Sequence, residues 1–378
     1  MSANRLYYHL KPYTPWGLRI RLRRLLATRK RRTFQQVWPI NEAAGKTPVG
    51  WPGWPDGKQF TFVLTHDVEG PEGLAKCRQL MQIEQELGFH SSFNFVPEGN
   101  YAVSRELREE LARNGFEVGV HDLHHDGKLF WSRQKFSENA KWINHYLQEW
   151  GACGFRSAFM LRNLDWIHEL DVAYDTSTFD TDPFEPQPDD VGTIFPFWVP
   201  RPKSAIVNHK SATGNAQSSI VNRQSQIPDG YVELPYTMPQ DSTLFLLLQE
   251  TSPELWMRKL DWIAMHGGMA LVNVHPDNLQ FNQDPESPRT FPIEHYVQLL
   301  KYVQTHYAGR YWHVLPREIA SFTRKILSVR PASADRKAHK HFEMTATNNA
   351  QKSLPRYITD PHERTSSHPS TTSGTAHD

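Results

Sequence analysis

Cysteine is almost absent from this chain, with Cys77 and Cys153 the two among 378 residues and no CxxC pair between them. That excludes a disulfide-stapled scaffold and a thiolate zinc site, and it fits a reducing compartment. Long apolar runs are missing too: no segment approaches the roughly 18 uninterrupted apolar residues of a membrane span. The N-terminal stretch lacks the apolar centre of a signal peptide, so the expected location is the cytoplasm. Neither sign of charge dominates. Lysine and arginine number 42 against 41 acidic residues, a net charge of +1 that argues against a general nucleic-acid-binding surface. Acidic residues are absent from the first 40 positions, which hold ten Lys or Arg.

Aromatic residues are plentiful, with 12 Trp, 13 Tyr and 20 Phe. Such density fills a core or lines a sugar platform, and composition does not separate the two. Within a basic N-terminal extension, 1–50, Leu18, Leu22, Leu25 and Leu26 fall at helical spacing with arginines between them. Two readings stand. Either the helix lies on an anionic membrane surface, making residues 1–40 a peripheral membrane contact, or its leucines pack on the following domain while the arginines stay in water.

From Phe60, strand-like runs at 60–65, 89–96, 116–121, 154–160, 174–179, 231–236, 269–275 and 311–315 alternate with helical periodicity at 71–88, 103–114, 132–150, 253–266 and 292–306. This alternation predicts an α/β fold, a parallel sheet with covering helices, open or closed into a barrel. The main domain is read as 51–330. A stretch rich in Ser, Asn and Gln at 203–228 reads as an inserted loop, and loss of apolar residues predicts a disordered tail over 331–378.

Ionisable residues gather where the strand-like runs end. His66, Asp67 and Glu69 follow FTFVL; His121, Asp122, His124 and His125 follow FEVGV; Arg156 follows GF; Asp175 follows DVAY; His275 and Asp277 follow ALVNV. The C-terminal ends of barrel strands surround one mouth, where active sites of that architecture are built. In HDLHHDG, His121 and His125 are four apart, which brings two imidazoles to one side of a turn or compact loop, with His124 as the rival partner. On an extended strand Asp67 and Glu69 share one face, and His66 and Val68 share the other. One carboxylate then ligates an ion while its neighbour works on water. Two His and one carboxylate with open positions make a hydrolytic zinc site.

This ordered set resembles the NodB-type polysaccharide deacetylases, the carbohydrate esterase family four group, over residues 58 to 325. THDVEG looks like the D-x-E form of that family's first motif. HDLHH looks like its H-S/T-x-x-H motif with Asp122 in second place, Arg156 like its R-x-P arginine with Ala158 where proline stands, and LVNVH like its L-x-x-H motif. The resemblance implies a distorted (β/α) barrel of the NodB type. It implies a divalent cation, zinc first, held by Glu69, His121 and His125. Asp67 would be the base, with the roles of Asp67 and Glu69 open to exchange. Arg156 would hold Asp67, His275 would protonate the departing amine, Asp175 would orient His275, and backbone amides near 122–126 would face the oxyanion. The implied function is a hydrolase that removes an N-acetyl group from a sugar or glycan in cell-surface polysaccharide synthesis, acting on a nucleotide-linked or lipid-linked intermediate. A metal-dependent amidase on a non-sugar substrate and a non-catalytic glycan-binding barrel are the alternatives. His66 reads as a residue turned away from the site, and Tyr236, Gln240 and Asp241 as candidate substrate contacts.

Overall fold

The structure, a computed structural model, describes residues 16–202, 229–285 and 287–329. The loop expected at 203–228 and the tail expected at 331–378 lie outside the described residues, as do residues 1–15. Strand β1, Phe60–Val68, is buried along its whole length, because apolar residues on both faces suit a strand covered from both sides.

β1 organises the sheet. One edge pairs in parallel with β8, Met269–Val274, from Thr61 to His66. The other edge is shared: β11, Tyr311–His313, takes Phe60 to Phe62, and β2, Ser92–Phe95, takes Thr65 to Val68. From β2 the parallel order continues through β3 (Glu117–His121), β4 (Gly154–Arg156), β5 (Tyr174–Asp175) and β7 (Gly230–Glu233). Irregular chain completes the ring. Tyr236 bridges Phe179 in parallel, and the Thr237 amide donates to the Leu271 carbonyl of β8 at 3.3 Å. The architecture is therefore a distorted (β/α) barrel. Short strands that sequence periodicity did not mark are β6, Phe197–Pro200, antiparallel on β7, and the pair β9, Leu279–Gln280, with β10, Phe291–Pro292.

The covering helices follow from apolar spacing and capping. The helix Arg133–Trp150 buries Phe136, Ala140, Ile143 and Leu147, a stripe at helical spacing. Ser132 starts it by accepting from the Lys135 amide at 3.2 Å, and Gly151 ends it in the left-handed region. Beneath the mouth the barrel interior is polar. Tyr174 donates to Glu117 at 2.8 Å, and Glu117 accepts from the Arg317 amide at 3.2 Å. Gly119 lies where a Cβ would meet the Asn94 side-chain oxygen at 2.1 Å, so β3 must be bare there for Asn94 to reach the centre.

The basic helix forms over Trp16–Thr33, but its packing is the reverse of the reading in which the leucines pack on the domain. Ala27 is buried and Ile20, Arg24 and Arg31 are half-buried, whereas all four leucines face outward.

Candidate active site

Asp67 lies near the end of β1 and is buried. Three donors meet it: Asn94 Nδ2 on Oδ1 at 2.9 Å, and Asn273 Nδ2 and Arg156 Nη1 on Oδ2 at 2.8 and 3.2 Å. Both amides are themselves fixed, since Ser92 donates to Asn94 Oδ1 and Thr65 Oγ1 lies 3.1 Å from Asn273 Oδ1. Burial would raise the Asp67 carboxyl, but the Arg156 guanidinium, with His121 and His275, holds it far below the usual carboxylate range. Four lone-pair sites and three donors leave acceptor capacity on Oδ1.

Glu69 follows β1 and stands at the opening, its side chain 38% exposed. Its backbone is pinned by Asp277, which accepts from the Glu69 amide at 2.9 Å and from the Gly73 amide at 3.1 Å, at the start of the helix Pro71–Glu86. Burial works to raise the Glu69 carboxyl, and His125, with His275 and His121, lowers it to about 2. Glu69 Oε1 is 3.0 Å from His125 Nε2 and 3.6 Å from His275 Nε2.

His121 closes β3 and His125 sits in the loop after it. The loop is compact because Asp122 and His125 adopt left-handed φ values of 57° and 53°. Asp122 secures it, accepting from the Leu123 amide at 2.6 Å and the Ala158 amide at 3.3 Å, so the Leu123 N–H is engaged by its neighbour. His121 Nδ1 lies 3.1 Å from the Arg156 carbonyl, which leaves Nε2 as the accepting nitrogen. That Nε2 is buried without a hydrogen-bond partner, and burial pushes the imidazole below its usual pKa. Ligand atoms of Glu69, His121 and His125 all lie within 4.8 Å of one another. A buried imidazole with an orphaned nitrogen, beside another imidazole and a carboxylate, suits a divalent cation by donor type and number. His124 instead turns to Glu98, at 3.5 Å.

His275 follows β8. Burial would lower its pKa, but Asp241, with Glu69 and Asp67, raises it to about 10. Asp241 Oδ1 is 2.6 Å from Nδ1, and Oδ2 accepts the His275 backbone amide at 2.9 Å. This corrects the expectation for Asp175. Asp175 accepts from Ser177 at 2.7 Å and pairs in register with Glu233 across β5 and β7. Burial raises both carboxyls. Tyr236 and Gln240, expected as substrate contacts, are tied to acids of the rim. Tyr236 OH lies 2.9 Å from Asp182 and 3.0 Å from Glu185, and Gln240 donates to Glu185 at 2.9 Å. His66 faces away, its Nε2 2.7 Å from the buried Glu84.

Asp67, Glu69, His121, His125, Arg156 and His275, the residues the sequence marks, meet at one mouth of the barrel, where Asn94 and Asn273 join them and Asp241 holds His275 instead of facing substrate. A lone amide in the middle of an apolar strand, as in SFNF and LVNV, was the available signal for the two asparagines. No family model matches the chain, and no curated protein does. Among solved structures, the chain is similar to a protein from Mycobacterium smegmatis described as a polysaccharide deacetylase, at 18% identity, with 84% of this chain and 99% of that one covered and a TM-score of 0.48. It is also similar to peptidoglycan deacetylase PdaC from Bacillus subtilis, at 11% identity, covering 76% and 98% with a TM-score of 0.36. A family 4 acetyl xylan esterase from Clostridium thermocellum, solved with a cobalt ion, matches at 14% identity, covering 69% and 91% with a TM-score of 0.35. These are likenesses at identities too low to transfer an activity.

Proposed function

We propose that this chain is a metal-dependent hydrolase that removes an N-acetyl group from a sugar or glycan intermediate in cell-surface polysaccharide synthesis. The carrying observation is the cluster of Glu69, His121 and His125 beside a buried Asp67 held by three donors and a His275 whose Nδ1 lies on Asp241. A divalent cation, zinc by the donor set, would be held by those three side chains, polarise an acetyl carbonyl and acidify water. Asp67 offers Oδ1 to a water proton. Arg156 and the two asparagine amides fix its orientation, so little reorganisation is needed when it accepts one. His275 carries at Nε2 the proton a departing amine requires, and Asp241 holds the ring and its charge. The proposed setting is the cytoplasmic side of a membrane, where the substrate is a nucleotide-linked or lipid-linked sugar. Two unbridged cysteines support a reducing environment.

Metal analysis of the purified protein tests the site. Wild type should carry about one divalent ion per chain, and His121→Ala and Glu69→Ala should lose most of it. Undiminished content in both variants would reject the ligand set. Acetate release over a panel of N-acetylated sugars and simple amides tests the reaction. Turnover confined to the amides points to the non-sugar amidase, and no acetate from any compound by metal-loaded protein points to the glycan-binding barrel.

A further inference from the structure

We infer that the outer face of the helix Trp16–Thr33 is a docking surface for an anionic lipid bilayer. Eight of its 18 residues are Arg or Lys and none is acidic. The face turned to the barrel is Ile20, Arg24, Ala27 and Arg31, spaced four, three and four. Leu18, Leu22, Leu25 and Leu26 fall on the opposite side and are 59%, 54%, 69% and 52% exposed. Ordinary burial would have placed the leucines inward and the arginines outward. Here two arginines serve the interior face, and the apolar stripe is given to solvent.

The inward contacts are specific. Arg24 Nε donates to the Leu246 carbonyl at 2.9 Å, Lys30 Nζ donates to the Pro183 carbonyl at 2.7 Å, and Arg31 pairs with Glu250. Leu246 and Glu250 follow Asp241, which holds His275, and Pro183 lies between the rim acids Asp182 and Glu185. The helix is therefore fastened to two segments that leave the mouth of the barrel. Arg21, Arg23, Arg29 and Arg32 remain exposed on the same helix as the leucines. A nucleic acid would engage those arginines but leave the leucines in water. A lipid surface takes both, the leucines at the acyl boundary and the arginines at the headgroup phosphates.

The inference deepens the membrane setting proposed above, and it rests on that reading only for what the docked barrel would meet. Binding itself needs no turnover, so a failure of docking and a failure of deacetylation are read separately. The test is flotation of the full chain with vesicles of phosphatidylglycerol and phosphatidylcholine, about one third anionic, against vesicles of phosphatidylcholine alone. Wild type should float with the anionic vesicles. The triple variant Leu22→Ser, Leu25→Ser and Leu26→Ser should bind at least about tenfold more weakly, and so should Arg21→Glu with Arg29→Glu, since each exposed arginine is worth about fivefold at such a surface. The altered side chains point away from the barrel, and circular dichroism and metal content check that the fold is kept. Absence of wild-type flotation, or undiminished binding by the leucine variant, overturns the proposal. So does a wild-type dimer in light scattering that the leucine variant turns to monomer, because the face would then belong to a second copy.

Discussion

Asp67→Asn is expected to lower the stability of the protein by about 3–5 kcal/mol, beyond any effect on turnover. The physical reason lies around the carboxylate rather than in it. Arg156 is fully buried, with Nε on Thr176 at 2.8 Å and Nη1 on Asp67 at 3.2 Å. Asparagine at position 67 would leave that guanidinium without its anion. It would also present one carbonyl oxygen to three donors and turn its own amide hydrogens toward one of them. Removing one partner of a buried pair costs more than the pair contributes, so Asp67→Asn combined with Arg156→Met should recover much of the loss without recovering activity. Denaturant unfolding of the two single variants and the double variant measures this. Additive losses in the double variant would show that the pair is not coupled. The pH dependence has a definite sign. The folded Asp67 is far more acidic than an unfolded aspartate, so its contribution is complete above the unfolded pKa of about 4 and is lost as pH falls toward the folded value. The stability difference between wild type and Asp67→Asn should therefore shrink in acid and stay constant near neutrality.

The parts of this site that were legible in sequence are those set by short-range geometry. The two-residue strand period separates His66 from Asp67, and His66 does turn to Glu84 behind the sheet. The four-residue spacing of His121 and His125 survives in a loop rather than a helix, because two left-handed residues fold the chain back within the same span. The parallel sheet with covering helices followed from alternating strand-like and helical periods. What failed was long-range. Asp175 was given the orienting role because it ends a strand-like run, yet it lies in register with Glu233 and makes a buried acid pair. Asp241 sits before a π-helical turn, Ser242–Leu247, where the apolar run LFLLLQ at 244–249 reads as core, and it is 34 positions from His275. The closure through Thr237 and Leu271, which no local pattern announces, brings them together. The N-terminal helix failed in a different way. Its spacing was plain, but which of two stripes faces the barrel depends on carbonyls at Pro183 and Leu246 that only the tertiary fold supplies.

Asp241→Asn should lower kcat by about 10²–10⁴ while leaving KM little changed, and it should move the alkaline limb of the pH profile to lower pH. Asp241 is fully buried and accepts both the His275 ring at 2.6 Å and the His275 backbone amide at 2.9 Å. Asparagine can keep one of those contacts but not the charge. With the anion gone, burial, which favours the neutral imidazole, is opposed only by the more distant Glu69 and Asp67. The imidazolium, whose pKa is raised to about 10 beside Asp241, would then release its proton at lower pH, toward the ordinary histidine value of about 6.5. The proton donor to the leaving amine would be lost across the neutral range, and activity would survive only toward acid. A purely structural role for Asp241 predicts something else: lower activity at every pH with the limb unmoved. Asp175→Asn is the matched comparison, since Asp175 is equally buried and its hydrogen bond runs to Ser177. Its pH limb should stay in place, because the carboxylate on the His275 ring is Asp241 and not Asp175. An unmoved limb in Asp241→Asn together with a shifted limb in Asp175→Asn would return the orienting role to Asp175 and place the proton donor under a different carboxylate.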